Sequence, residues 1–289
     1  NSSNNSSSSS SEYAHLHGAA CLANMDAPVE FSRRTLMQLL LAAAAFGMGE
    51  APAGASKLPG FADSAWESLG GGPADLYFPD NFNGEWEVSS TLVDVKKLMG
   101  DDYITNPGAV ERAIREDLNR QARYTVTFMK ASNGRVIFDR AANTASLVGM
   151  YYPSTNFKER INWDPNDPNI LQIQLPGGTS VRTRVTRRSA DQLDDDRLET
   201  SEYFEQIYED GVNPARLKAA QCFTKYKWRD EAAAAKAGGP VIVATQVVSD
   251  FLTPYDGEAL YVKAMNKPIV TYTYRMAFTR PPQSSTVNG

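Results

Sequence analysis

The chain has 289 residues, 42% hydrophobic and 22% charged, with 29 basic against 34 acidic residues and a formal net charge of −5. This is a globular composition, and its slight acidity gives no basic patch of the kind nucleic-acid binding requires, so no nucleic-acid partner is expected. Only two histidines and two cysteines are present, which leaves little room for zinc sites or a disulfide framework.

Residues 1–31 crowd Ser and Asn into their first positions and contain no Lys or Arg. Ser32-Arg33-Arg34-Thr35-Leu36 then opens an uncharged run to Gly49, followed by Ala53-Gly54-Ala55. Adjacent arginines (Arg33, Arg34), a short apolar segment and a small-x-small site (Ala53, Ala55) are the parts of a twin-arginine export signal over 32–55, cleaved after Ala55. The run is too short and too Ala-rich for a spanning helix, which needs about 20 predominantly apolar residues. A Ser-rich leader at 1–31 ahead of such a signal reads as a bipartite plastid presequence. The expected destination is the thylakoid lumen, with the twin-arginine translocase as a transient partner; a bacterial periplasm is the alternative. Glu12, Asp26 and Glu30 depart from the acid-poor norm of transit peptides, and the missing initiator Met points to a start further upstream.

Cleavage there would discard His15, His17 and Cys21, leaving a mature chain with no histidine and the single Cys222. Ser-His-Asp and Cys-His catalysis would then be excluded. No metal site is expected, no cofactor is indicated, and Cys222 reads as a small buried residue.

Residues 56–76 read as an N-terminal arm, an ordered lead-in or a flexible one, with a short helical possibility at 62–69 ended by Gly70-Gly71-Gly72-Pro73. From Tyr77 to Arg280 the pattern is strand-like. Leu171, Ile173 and Leu175 alternate with polar residues; Gly177-Gly178 turns the chain; Val181, Thr183 and Val185 alternate again. That is a hairpin with one apolar face. Similar alternation predicts strands at 85–95, 124–130, 135–139, 201–208, 222–229, 241–251 and 269–280. One amphipathic helix or structured excursion is expected at 108–122, and a loop insertion with local helix propensity at 230–239. The predicted fold is mainly β: one domain over 77–280, an antiparallel meander closed into a barrel with one or two short helices, then a tail at 281–289. Closure removes sheet edges that would otherwise pair with other chains.

Gly84-x-Trp86 opens the first strand, and the last strand supplies Arg275 and Arg280. This resembles lipocalins and related calycin barrels, where such a Trp closes one barrel end beneath an Arg of the last strand. A guanidinium over an indole gains cation–π energy of about 0.5–2 kcal/mol. Tyr77-Phe78-Pro79, Val136-Ile137-x-Asp139-Arg140-Ala141-x-Asn143, Trp163-x-Pro165, Asp167-Pro168-Asn169, Val185-Thr186-x-Arg188 and Ser201-Glu202-Tyr203-x-x-Gln206 extend a second likeness over most of 76–280. Together they are similar to the uncharacterised plant, algal and cyanobacterial family called domain of unknown function 6816. That resemblance implies a photosynthetic-lineage protein and brings no catalytic residues.

Candidate ligand contacts are Arg140 and Asn143, at a polar knot after a strand, and Tyr151, Tyr152 and Trp163, which could line a pocket for a flat lipophilic molecule. Each has a plainer reading, a loop lock for the polar pair and core packing for the aromatics. Asp194-Asp195-Asp196 lacks the alternate-position spacing of a calcium loop. Acidic pairs such as Glu199 and Glu202 arise by chance in any barrel and do not indicate glycosidase chemistry. The leading expectation is a lumenal carrier of a small lipophilic ligand of lipid, carotenoid or tetrapyrrole type. The alternatives are an accessory protein acting through its surface on a photosystem or thylakoid complex, and a histidine-free enzyme.

Overall fold

The computed structural model describes residues 72–282. The leader, the twin-arginine signal, the helix expected at 62–69 and the tail beyond 282 lie outside the described residues. In chain order the strands are β1 (Gly84–Lys97), β2 (Gln121–Lys130), β3 (Val136–Phe138), β4 (Ile161–Asp164), β5 (Asp167–Gln174), β6 (Ser180–Asp194), β7 (Arg197–Glu209), β8 (Arg216–Trp228), β9 (Ile242–Phe251) and β10 (Val270–Thr279). The α-helices are α1 (Pro107–Arg112), α2 (Arg140–Gly149), α3 (Glu231–Ala237) and α4 (Glu258–Ala264).

All ten strands form one antiparallel sheet in the order β3-β2-β1-β10-β9-β8-β7-β6-β5-β4. Every pairing joins sequence neighbours except β1 with β10, whose register runs from Glu87 opposite Thr279 to Lys97 opposite Val270. α2 packs on β2, near one end of that order, and on β4, at the other. A helix can touch both only if the sheet curls, so the sheet is a half-barrel with α2 across its gap. Among the described residues no ladder joins β3 to β4.

Period-two alternation gives each long strand one buried face, as in Trp86, Val88, Ser90 and Leu92 of β1. The interior holds two apolar clusters. Phe78, Phe82, Trp86, Phe128, Tyr226 and Trp228 belong to one, where Phe82 lies edge-on to Phe128 and Trp228 with centroids 5.3 and 5.2 Å away. Leu92, Val110, Phe204, Val248 and Tyr272 belong to the other, which α1 and α4 help to cover.

Two expectations are corrected. The helix expected over 108–122 stops early. α1 ends at Arg112, a π-helical turn spans Ala113–Asp117, and Asn119 takes a left-handed φ of 61° before β2 begins at Gln121. The two-residue period of Ala122, Tyr124, Val126 and Phe128, all buried, overrides the local helix signal. Helix is also richer than the one or two expected, with α2 and α4 added and the buried positions of α2 recurring at helical spacing. The buried face of α2 is largely polar: Arg140, Asn143 and Thr144, with Leu147 and Val148.

Candidate functional site

Three polar constellations are built into the half-barrel. The first closes the Trp86 end. The Trp86 indole donates to the Phe82 carbonyl at 2.6 Å, and the Arg280 guanidinium lies 3.6 Å above the indole ring centre. Arg280 also donates to the carbonyls of Asn81, Asn83 and Glu85 at 3.0–3.4 Å and to Glu231 at 2.8 Å. Gly84 makes this approach possible: its φ is 104°, and a Cβ there would lie 3.1 Å from Arg280 Nη1. Arg275, the other candidate for this position, is exposed on the outer face of β10. It follows Tyr274 on the strand, where alternation turns it outward.

The second constellation is a buried ion network. Arg140, the first residue of α2, donates to both oxygens of Glu202 at 3.0 and 2.7 Å and to Asp75 Oδ1 at 2.7 Å. Burial works against its charge, but Glu202 and Asp75 outweigh this and push its pKa up. Arg188 also bonds Glu202, together with Asn169 Oδ1 at 2.6 Å and the carbonyls of Pro73, Ala74 and Pro168. A β-bulge puts Arg188 there. The β6–β7 register slips between Val185 and Arg187, so Arg188 faces inward directly opposite Glu202. The network ties residues 73–75 and the start of β5 to β6, β7 and α2. Within the stretch read as an ordered lead-in or arm, Asp75 and Leu76 enter the interior.

Asn143 bonds the backbone of β2. Its Oδ1 accepts from the Thr127 N–H at 2.6 Å and its Nδ2 donates to the Thr127 carbonyl at 2.9 Å, while Ser146 Oγ accepts from the Thr125 N–H at 3.1 Å. On β2, strand β3 reaches only Phe128–Lys130. The side chains of α2 therefore satisfy the β2 edge where β3 stops. The Asp139 carboxylate, accepting from the Ala142 N–H at 2.9 Å, starts the helix at this point.

The third constellation is an inward row across four strands. Tyr274 lies opposite Gln246, Gln246 opposite Thr224, and Thr224 opposite Thr200. Gln246 Nε2 donates to Thr224 Oγ1 at 3.1 Å, but Gln246 Oε1 and Thr200 Oγ1 are buried with no hydrogen-bond partner. Tyrosines flank the row. Beyond the effect of burial, Tyr274 is near enough to Asp117, Tyr272, Tyr151 and Tyr124 for their charges to raise its phenol pKa, and Tyr124 is near enough to Cys222 and Tyr151 for theirs to raise its own. Burial pushes the phenols of Tyr124, Tyr226 and Tyr274 and the thiol of Cys222 upward, so all stay protonated at neutral pH. The row thus offers hydrogen-bonding groups; its phenols and thiol supply neither a base nor a thiolate nucleophile.

Tyr151 is near enough to Tyr124 and Tyr274 to act on both electrostatically, whereas Tyr152 packs at a tilt against Phe157 with ring centres 5.8 Å apart. Trp163 sits on β4 opposite Leu171, its buried Nε1 without a partner. The signal for the row was available as Thr and Gln at strand positions of apolar parity, but a single sequence does not give the register that aligns them. Among the described residues no group of His, Cys, Asp and Glu side chains is arranged to hold a metal ion.

The model of the family described as "Domain of unknown function (DUF6816)" matches residues 70–282. The chain belongs to this family. The match spans the half-barrel, so the closure of Trp86 by Arg280, the ion network and the inner row of this DUF6816 chain all lie within the family domain. No curated protein and no solved structure matches the chain.

Proposed function

We propose that this DUF6816 protein is a binding protein of the thylakoid lumen that holds a small, mainly lipophilic ligand along its inner row. One observation carries the reading: Gln246 Oε1 and Thr200 Oγ1 are buried and unpartnered in one cross-strand row. Leaving such a group unsatisfied costs about 1–3 kcal/mol, and two in register are best explained by an occupant. The ligand would have an apolar body, for contact with the flanking clusters, and a polar group that donates to Gln246. Tyr151, Tyr124 and Tyr274 would contact its flat face. The packing of α2 across the gap supports a lipocalin-like barrel as the container, and Arg33-Arg34 with Ala53-Gly54-Ala55 supports the lumenal address. Raised phenol and thiol pKa values weigh against an enzyme that would use a tyrosinate or a thiolate.

The test is the absorption spectrum and native mass of the protein purified under mild conditions from its own compartment. A stoichiometric extra mass or a pigment band supports the carrier. A colourless protein of bare polypeptide mass, with crystallographic waters on Gln246 and Thr200, would sink it.

A further inference from the structure

The outer face of the sheet carries a second candidate site, independent of the interior. We propose that the groove along the outside of β9 docks an extended acidic segment of a partner protein. Its floor and walls follow from register. Lys227 is opposite Val243 and Val243 opposite Ala277; one step along, Lys225 is opposite Thr245 and Thr245 opposite Arg275. The short side chains of β9 form a floor between the lysines of β8 on one side and Arg275 of β10 on the other. With Leu193 and Arg197 from the β6–β7 hairpin they enclose a groove of about 540 Å³.

The charges decide what fits. Lys225 pairs with Glu199 at 2.6 Å, Lys227 with Asp196 at 3.6 Å, and Arg197 with Asp194. Arg275 makes no ion pair among the described residues and stands between Thr91 and Thr245 on the adjacent strands. An incoming carboxylate therefore finds one uncompensated guanidinium with a hydroxyl-bearing neighbour on each side. The other three cations are in exposed pairs, which are worth little in water and exchange readily. Val243 and Leu193, 44% and 51% exposed, add apolar contact.

The spacing selects an extended chain. The two rows are two residues apart on β9, about 6–7 Å, which is the repeat at which a strand presents same-side side chains. A segment with carboxylates at alternate positions would address Arg275 and Lys225 in one row and Lys227 in the next. The carboxylates of Asp194, Asp196 and Glu199 at the hairpin side oppose a continuous anionic surface such as a bilayer or a nucleic-acid backbone, whereas spaced carboxylates avoid them.

The experiment measures fluorescence anisotropy of a labelled synthetic peptide of alternating Asp and Val, titrated with the full chain at low salt. The same peptide with Asn in place of Asp, and vesicles of anionic phosphatidylglycerol, serve as competitors. The proposal expects saturable binding, at least about tenfold weaker in Arg275→Glu and unchanged in Lys158→Glu, whose exposed site is outside the groove. Amide resonances of Val243 and Thr245 should shift in the wild type, which keeps the test valid if Arg275→Glu fails to fold. Absence of binding, equal loss in both variants, competition by the Asn peptide, or displacement by vesicles would each overturn the proposal.

Discussion

The ion network and the inner row are both polar and both buried, yet they differ in how their groups are satisfied. In the network each charged group has at least two partners: Glu202 meets Arg140 and Arg188, Arg140 meets Glu202 and Asp75, and Asp75 also accepts from the Leu76 N–H through the same Oδ1, leaving only its Oδ2 idle. In the row, Gln246 spends its donor on Thr224 and keeps a buried acceptor idle, and Thr200 has no partner. The first pattern is that of a structural clamp, in which removing any member leaves a buried charge exposed to low dielectric. The second leaves room for a further hydrogen-bonding group, as the proposed ligand would supply. Buried polarity alone does not mark a binding site, nor does one idle atom, since Asp75 Oδ2, Thr144 Oγ1 and Ser201 Oγ are also buried without a hydrogen bond; the row differs in carrying two such groups across neighbouring strands.

That contrast can be broken by mutation. Glu202→Gln should be the most damaging change, because it strands two buried guanidiniums. A loss of about 3–5 kcal/mol is expected for breaking a buried ion pair, measurable by denaturant unfolding. Thr200→Val, of similar shape, should leave the ligand-free protein within about 1 kcal/mol of wild type or more stable, since it removes an idle hydroxyl. If Thr200→Val destabilised the protein as much as Glu202→Gln, the two regions would not differ in kind. Gly84→Ala falls between them. It forces a side chain to φ 104° and toward Arg280, for a cost of about 1–2 kcal/mol from backbone conformation, read as a lowered Tm.

The pH dependence sharpens the same picture. Burial raises the pKa of Tyr124, Tyr208, Tyr226 and Tyr274. The unfolded chain ionises these phenols near pH 10 while the folded one keeps them neutral. Their contribution is thus complete below pH 10 and is lost as pH rises above it. Ultraviolet titration should show these tyrosines ionising together with unfolding, not before it. At the acid end the effect is smaller. Hydrogen bonds from the Asn213 side chain and from the Asn213 and Val212 backbone hold the Asp210 carboxyl at about 2. Its contribution is present above the ordinary carboxyl value and is lost as pH falls toward 2. Asp210→Asn should therefore flatten the acid limb of a stability–pH curve slightly.

Much of the sheet was legible in the sequence because a half-buried strand writes its register as apolar–polar alternation. β1, β2, β7, β9 and β10 carry it plainly. The family likeness was legible as well, through motifs that the half-barrel gathers from distant strands. α2 was not, because its buried face consists of polar groups whose partners, Glu202 and Thr127, are remote in sequence. Arg188 was hidden by the bulge at Thr186, which reverses the strand parity and sends a charged residue inward. Of the site, Tyr151 and Trp163 could be picked out as aromatics. Gln246, Thr224 and Thr200 could not, since only the aligned registers of β7, β8 and β9 put them in one row. Arg275 and Arg280 were equivalent as late-strand arginines until alternation sent one outward and left the other, beyond Thr279, to reach over Trp86.

The central claim is that the idle groups of the inner row are completed by a ligand. Native mass spectrometry of wild type and Gln246→Leu, each isolated from the native compartment, tests it most directly. The account predicts a stoichiometric adduct on the wild type that is lost or depleted in Gln246→Leu while the variant stays folded. Bare polypeptide in both, or an equal adduct in both, would contradict it.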